Sequence, residues 1–227
     1  MDSQPRTIVI FQPSLFGSGE PRVDPTLRGL ERTDLGSGAW VDYLPGWVEG
    51  HEAVLDALWT TIGWQSYRRQ MYDQIVDVPR LVAVWPDDGP GHPLLPDLAA
   101  ALSARYERPL PHVSLAAYRD GRDSVAFHGD RLGAARGDAI VAIVALGARR
   151  RFLLRPAGGG PSRRFDFGEG DLLVMGGTCQ RTWEHGVPKA AHGGLRISVQ
   201  FRSATVEPAA DYRRATSLRK TAPYSKP

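Results

Sequence analysis

Between residues 112 and 202 the chain breaks into short runs rich in Val, Leu, Ile and Phe, separated by turns that mostly carry glycine. The runs cover residues 112–118, 124–128, 140–146, 150–154, 164–167, 171–175, 181–183 and 195–202. Each is too short to be a stable helix, and eight strands at this spacing predict a sheet that rolls up as a sandwich or jelly roll. Upstream, residues 39–43 alternate and predict a strand. Residues 48–62 place Val54, Leu55, Leu58 and Ile62 near helical spacing, and residues 94–106 do the same with Leu95, Leu98, Ala101 and Leu102. The fold class expected is mainly β (α+β): a jelly roll with helices on one face. The first thirty residues hold Pro13, Gly17, Gly19, Pro21 and Pro25 and predict an irregular arm. Gly158–Gly160 before Pro161 is a connecting loop, without the Lys-Ser/Thr ending of a phosphate loop.

The length of 227 residues, with 42% hydrophobic residues, suits one compact domain. It is expected to divide into residues 1–110 (extension, helices and lid), 111–203 (core) and 204–227 (tail). No run reaches the roughly 18 apolar residues of a membrane span, and the apolar run at 8–11 is too short for a secretory signal. Cys179 is the single cysteine, so no internal disulfide forms, and a cytoplasmic location is the simplest expectation. A buried, inert thiol is expected there. The net charge of +3 permits nucleic-acid binding without requiring it. Residues 212–227 carry Arg213, Arg214, Arg219, Lys220 and Lys226 with no acid, either a solvated tail or one that grips phosphates.

The stretch SVAFHGDRLG, residues 124–133, ends a strand-like run in His128 and Asp130. Residues i and i+2 of a strand share a face, so these two side chains converge while Gly129 leaves room. Imidazole plus carboxylate suits divalent iron, manganese or zinc, and a second imidazole would complete the set used by non-haem Fe(II). His51, His92, His112, His185 and His192 are the candidates; His185 sits in WEHGVP, where a turn follows and the ring can face a barrel mouth. A lone His-x-Asp is otherwise a surface pair or a hydrogen-bonded core histidine. RISVQFR, residues 196–202, alternates strictly, with Ile, Val and Phe on one face and Arg, Ser, Gln and Arg on the other. If the polar face points into the barrel, two guanidiniums are buried and need partners. A dicarboxylate would supply them. The two arginines lie roughly 20 Å apart along the strand, so different roles are expected.

Together these segments resemble the AlkB-type Fe(II)- and 2-oxoglutarate-dependent dioxygenases. The residues that carry the resemblance are HVSLAAYRDGRDSVAFHGD, FGEGDLLVMGG, RTWEHGVPK and RISVQFR in the family's order, with PRLVAVW (79–85) preceding them. The resemblance implies a double-stranded β-helix in which His128, Asp130 and His185 hold the catalytic iron. It implies that Tyr118, Arg196 and Ser198 receive 2-oxoglutarate, and that Arg202 lies near its other end. It also implies oxidative demethylation of N-alkylated bases in methylated DNA, single- or double-stranded, consuming O2 and releasing formaldehyde, succinate and CO2. RNA or a small molecule is the alternative substrate, and a metal-free jelly roll that only binds a partner is the alternative outside enzymes. A monomer is expected. The family often has Asn where Ala116 and Ser198 stand here, and commonly an acid where Leu132 stands.

Such an enzyme must take its base out of the stack, and aromatic faces hold a flipped base. SYRRQMYDQ, residues 66–74, reads as a lid, with Arg69, Met71 and Tyr72 as substrate contacts and Arg131 beside the metal motif as another. Arg119 and Arg122 are further candidates for phosphates. Trp64 and Trp85 are expected in the core, and Glu184 either supports His185 or points outward.

Overall fold

The computed structural model describes residues 20–66, 68–71, 74–130 and 138–203. The arm before residue 20, Tyr72, Arg131, Leu132 and the basic tail therefore lie outside the described residues. In chain order the elements are β1 (Arg22–Val23), β2 (Glu31–Gly36), β3 (Ala39–Leu44), β4 (Val48–Glu49), α1 (His51–Thr61), β5 (Arg68–Met71), β6 (Gln74–Asp77), β7 (Leu81–Trp85) and α2 (Leu94–Arg105). There follow β8 (His112–Tyr118), β9 (Val125–His128), β10 (Val141–Gly147), β11 (Arg150–Pro156), β12 (Arg163–Phe167), β13 (Asp171–Gly177), α3 (Cys179–Thr182), β14 (Trp183–Val187) and β15 (Arg196–Arg202).

The strands form two facing sheets, a seven-stranded one ordered β2-β3-β13-β10-β15-β8-β7 and a four-stranded one ordered β12-β11-β14-β9. All of their pairings are antiparallel. Period-two alternation sorts each strand of the larger sheet between two cores. Val113, Leu115 and Ala117 of β8, Ala142, Val144 and Leu146 of β10, and Ile197, Val199 and Phe201 of β15 face outward. There they pack against Val54, Leu55 and Leu58 of α1 and Leu95, Leu98 and Leu102 of α2. The opposite face, with Ala116, Tyr118, Val141, Ile143, Leu173 and Met175, meets Phe152 and Leu154 of β11, Phe167 and Val187 inside the roll. The jelly roll with helices on one face is the architecture observed.

Val48–Glu49, expected in the first helix, form β4 instead, and two other differences concern α3 and β2. Of residues 181–183 only Trp183 is strand: α3 takes Cys179–Thr182, and the strand is β14, which carries His185 at its centre. The carbonyl of Thr178 accepts from the backbone N–H groups of Arg181 and Thr182 and from the Thr182 hydroxyl, which closes one helical turn ahead of the strand. A three-residue window cannot separate such a turn from a strand end. The second is β2, whose sequence ERTDLG has no apolar alternation to show because it is a largely exposed edge strand. It is held to β3 by the fork of Arg32 on the buried Asp42 carboxylate at 2.7 and 2.8 Å. Tyr106 at the end of α2 donates to the same carboxylate.

Trp64 is buried in the helical core; Trp85 is partly exposed and packs against that core. Cys179 is buried, and desolvation pushes its thiol pKa up to about 12, as expected of an inert cysteine. Among the described residues no helix is long and apolar enough to cross a membrane.

Candidate metal and cosubstrate site

The adjacent strands β9 and β14 bring the two histidines together: His128 and His185 are directly paired in the register. Their rings lie 4.4 Å apart between centroids. Asp130, two residues past His128, is buried, and its Oδ1 lies 3.9 Å from His128 Nε2. One ligand atom from each of His128, Asp130 and His185 falls within 4.8 Å of the others. Two imidazoles and one carboxylate are the donor set expected for non-haem Fe(II), so the residues present fit that ion. Among the other histidines weighed, His92 accepts from the Leu94 backbone N–H, and His112 and His192 are exposed. His51 lies beside Glu52 and the Gly147 N–H.

Neighbouring groups set the state of each ligand. His128 Nδ1 lies 2.9 Å from the carbonyl of Ala126, which holds the Nδ1–H tautomer and leaves the Nε2 lone pair for an ion. His185 is stacked on Phe152, with centroids 5.5 Å apart and planes 15° apart. Burial, followed by the His128 ring, pushes its pKa down to about 3, so the ring is neutral at physiological pH, as a metal-binding imidazole must be. For Asp130, burial acts to raise the pKa, but the nearby Arg202 and the two imidazoles outweigh it and hold the carboxyl well below the usual carboxylate range. Arg202 Nε donates to Asp130 Oδ2 at 2.8 Å, and the Gln180 amide oxygen accepts from the Asp130 N–H at 3.0 Å. One carboxylate oxygen is thereby fixed by a cation while the other faces the histidines.

A buried imidazole with a lowered pKa makes stability depend on pH in a definite direction. Between the ordinary value of 6.5 and about 3, the unfolded chain takes up a proton at residue 185 that the folded chain refuses. That contribution to stability is complete above pH 6.5 and is lost progressively as the pH falls towards 3. Urea unfolding of the metal-free protein at pH 7.5, 6 and 5 should show falling midpoints, and His185→Gln should flatten the slope. An unchanged slope in that variant would place the effect elsewhere.

The polar face of β15 points into the roll, not into water. Arg196 is fully buried, Ser198 is 4% exposed and Arg202 is 5% exposed. Arg196 is paired with Tyr118 in the register and its Cζ lies 5.2 Å from that ring. Its guanidinium donates to the carbonyl of Phe167 and, at 2.6 Å, to Ser198 Oγ. Arg202, at the other end of the strand, also donates to Ser114 Oγ and Gln200 Oε1, both at 2.6 Å. The two arginines thus have separate surroundings: Arg202 serves the Asp130 carboxylate, and Arg196 lies beside Tyr118. A buried guanidinium with no acid in its hydrogen bonds fits a carboxylate-bearing cosubstrate. A cavity of about 230 Å³ adjoins Arg202 and Ser114, bounded by Trp85, Asp87 and His112.

Sequence reasoning missed Ser114, Gln180 and Phe152. Ser114 lies four residues before Tyr118 on the same strand face, so extending the alternation back from Tyr118 finds it. Phe152 follows in the same way from the inward row of β11. Gln180 lies in α3, one residue before the run expected as strand, and gave no signal. Glu184 pairs with Arg155 at 3.1 Å and does not support His185. Arg119 is in an ion pair with Asp123, and Arg122 with Asp120. Arg69 and Met71 fall on the first strand of the β5–β6 hairpin, where Arg69 pairs with Val76 and Met71 with Gln74. Their side chains, like Tyr72 and Arg131 entirely, lie outside the described residues.

A rolled sheet that turns two imidazoles, a carboxylate and a row of guanidiniums inward defines a class of oxygenase. Residues 61–204 match the 2OG-Fe(II) oxygenase superfamily. The chain is 29% identical over 189 residues to the alpha-ketoglutarate-dependent dioxygenase alkB homolog 3 of Mus musculus, and 27% identical to that of Homo sapiens. These alignments cover 72% of this chain and 66% of each relative, so the chain spans just under two thirds of their length. The solved structure of OsALKBH1 superimposes with a TM-score of 0.51 at 17% identity, covering 76% of this chain and all of that one, a likeness of fold. The chain belongs to the 2OG-Fe(II) oxygenase superfamily, and its similarity is to the AlkB-type members. Fe(II), 2-oxoglutarate and O2 are the cofactor and cosubstrates of that family.

Proposed function

We propose that this chain is an Fe(II)- and 2-oxoglutarate-dependent dioxygenase that oxidatively removes methyl groups from ring nitrogens of bases in DNA. The observation that carries the proposal is the convergence of His128, Asp130 and His185 within 4.8 Å, inside the same roll that buries Arg196 and Arg202. A binding module has no need of three convergent ligands and two buried guanidiniums. Iron held by these three groups, when bound, supplies the activation of O2. The remaining work falls to the chain's own residues. His128 presents Nε2 because Ala126 occupies its Nδ1. Arg202 holds Asp130 ionised and oriented. Tyr118, Arg196 and Ser198 receive the distal carboxylate of 2-oxoglutarate. Phe152 keeps the His185 ring in a dry, fixed setting.

On the substrate side, Arg69 and Arg131 are assigned to backbone phosphates and Met71 and Tyr72 to the flipped base. The cavity beside Trp85, His112 and Ser114 is smaller than the roughly 300–1,000 Å³ of drug-sized sites, which favours one flat ring system over a bulky ligand. Trp85 and His112 at the cavity favour a base over an aliphatic acid, and the net charge of +3 is compatible with a nucleic acid.

The test is release of formaldehyde and succinate from a panel of N-methylated oligonucleotides. Single- and double-stranded DNA, RNA and unmethylated controls make up its arms. Matched release of both products from methylated DNA is expected, with turnover falling steeply as salt rises, because each phosphate contact releases counterions. Equal or better turnover on RNA would move the substrate class, and succinate without formaldehyde on every oligonucleotide would remove nucleic acids altogether.

A further inference from the structure

Arg150 opens β11 and is 4% exposed. Its Nη1 donates to the carbonyl of Asp120 at 2.8 Å, and its Nη2 to those of Asp123 at 2.9 Å and Pro188 at 2.8 Å. These bonds tie the turn before β9 to the residue after β14, the two strands that carry His128 and His185. The same tie is continued by the Ala190 N–H on the Gly121 carbonyl. They account for the far end of the guanidinium only. Arg150 Nε is buried and has no hydrogen-bond partner among the described residues. A buried donor left unmade costs roughly 1–3 kcal/mol, more on a charged group, so its persistence calls for a reason.

The surroundings supply one. Arg150 Cζ lies 6.0 Å from the Tyr118 ring, and Arg196 Cζ lies 5.2 Å from the same ring. Neither guanidinium donates to a carboxylate among the described residues; their acceptors are carbonyls and a hydroxyl. Other arginines nearby have found acids: Arg149, in the turn before β11, bonds Glu169 and Asp171, Arg155 bonds Glu184, and Arg202 bonds Asp130. Two buried cations beside one phenol ring, one of them with an unused N–H, have no acid in hydrogen-bond contact. Arg150 is also on the inward row of β11, two residues from Phe152, which stacks on His185.

We infer that Arg150 is a second cation for the distal carboxylate of 2-oxoglutarate, with its Nε–H as donor, beside the same Tyr118 ring as Arg196. The inference rests on the cosubstrate assignment proposed above and adds to it a residue in the other sheet. A carboxylate gripped from both sheets would also tie the two halves of the roll to each other.

The experiment compares 2-oxoglutarate with 2-oxopentanoate, which has the same chain length and lacks the distal carboxylate. Binding is measured by calorimetry to the Mn(II)-loaded chain. The unsubstituted chain should prefer 2-oxoglutarate strongly. Arg150→Gln, which keeps an amide donor for the carbonyls but loses the charge, should shrink that preference at least tenfold with little change for 2-oxopentanoate. Equal loss for both ligands, or an unchanged preference, would overturn the inference and leave Arg150 as a tie between loops. Should Arg150→Gln fail to fold, the unsubstituted Zn(II)-loaded protein serves instead. Its Arg150 Nε–H resonance should move and exchange more slowly on adding 2-oxoglutarate, and stay in place with 2-oxopentanoate. An unmoved resonance with 2-oxoglutarate bound would overturn the inference alone. Failure of the unsubstituted chain to bind 2-oxoglutarate at all would instead remove the cosubstrate assignment.

Discussion

Replacement of Asp130 by Asn is expected to leave a folded protein that no longer holds a divalent metal at its candidate centre. The carboxylate has two tasks on two oxygens. Oδ2 accepts from Arg202 Nε at 2.8 Å, and Oδ1 lies towards His128 Nε2 at 3.9 Å. An amide can still offer its oxygen to Arg202, which fixes the rotamer and turns the NH2 group towards the histidines. There it presents two N–H donors where an ion needs a lone pair. Mn(II) or Co(II) affinity, read by calorimetry or by the visible spectrum of bound cobalt, should fall by at least a hundredfold, and product release should fall to background. Asp130→Ala should do more damage to the fold. It leaves the buried Arg202 without its acid, and breaking a buried pair from one side costs about 3–5 kcal/mol. The two variants therefore separate loss of the ion from loss of the fold: both should lose metal, and only the alanine should unfold markedly earlier in urea. Retained metal binding in the Asn variant would take Asp130 out of the ligand set and undo the proposed centre.

The metal motif was legible because strand geometry makes i, i+2 an instruction that needs no tertiary knowledge. His128 and Asp130 share a face in any strand, and Gly129 between them leaves space. Choosing His185 over His51, His92, His112 and His192 was a different matter. It depends on β14 lying beside β9, a pairing between residues 57 apart by number, which periodicity within either strand does not contain. The face of β15 was ambiguous for the same reason. RISVQFR alternates equally well with its arginines in water or in the roll, and what decides it is the pair of helices that cover Ile197, Val199 and Phe201 from outside. Once those apolar side chains are taken by α1 and α2, Arg196 and Arg202 have no direction left but inward. Arg150 escaped notice because RRRF offers three consecutive arginines and only the pairing of β11 with β12 and β14 settles which one turns inward. Gln180 was hidden by the brief α3 turn, where a helical residue reaches the Asp130 backbone from a segment with no strand period to follow.

Arg196→Met should abolish tight 2-oxoglutarate binding without destabilising the cosubstrate-free protein. Arg196 is fully buried, and burial, set partly against the Tyr118 ring, pushes its pKa down to about 10, the mark of a cation held where the solvent cannot reach it. Its hydrogen bonds go to the Phe167 carbonyl at 3.3 Å and to Ser198 Oγ at 2.6 Å, and neither acceptor carries a charge. Substituting buried ionic groups with apolar ones of similar size is often neutral or stabilising by about 1–4 kcal/mol. The two acceptors left behind offset that by roughly 1 kcal/mol each. The unliganded variant should therefore melt within a few degrees of the parent, or above it. Binding responds in the other direction. A charged fork on a carboxylate contributes hydrogen bonds of about 1.5–3 kcal/mol each, and losing about 3 kcal/mol weakens the dissociation constant on the order of a hundredfold. At a 2-oxoglutarate concentration a hundred times the parent's constant, the parent gains about 2.7 kcal/mol from the ligand while the variant gains about 0.4 kcal/mol. Thermal melts of the Mn(II)-loaded proteins with and without 2-oxoglutarate read both quantities at once. A large drop in the unliganded melting temperature would show that the fold itself depends on this guanidinium. An undiminished ligand shift would mean that the distal carboxylate is held by something other than the inward face of β15. Only the combination of a steady fold and a vanished shift matches a charge kept buried for a partner that arrives from solution.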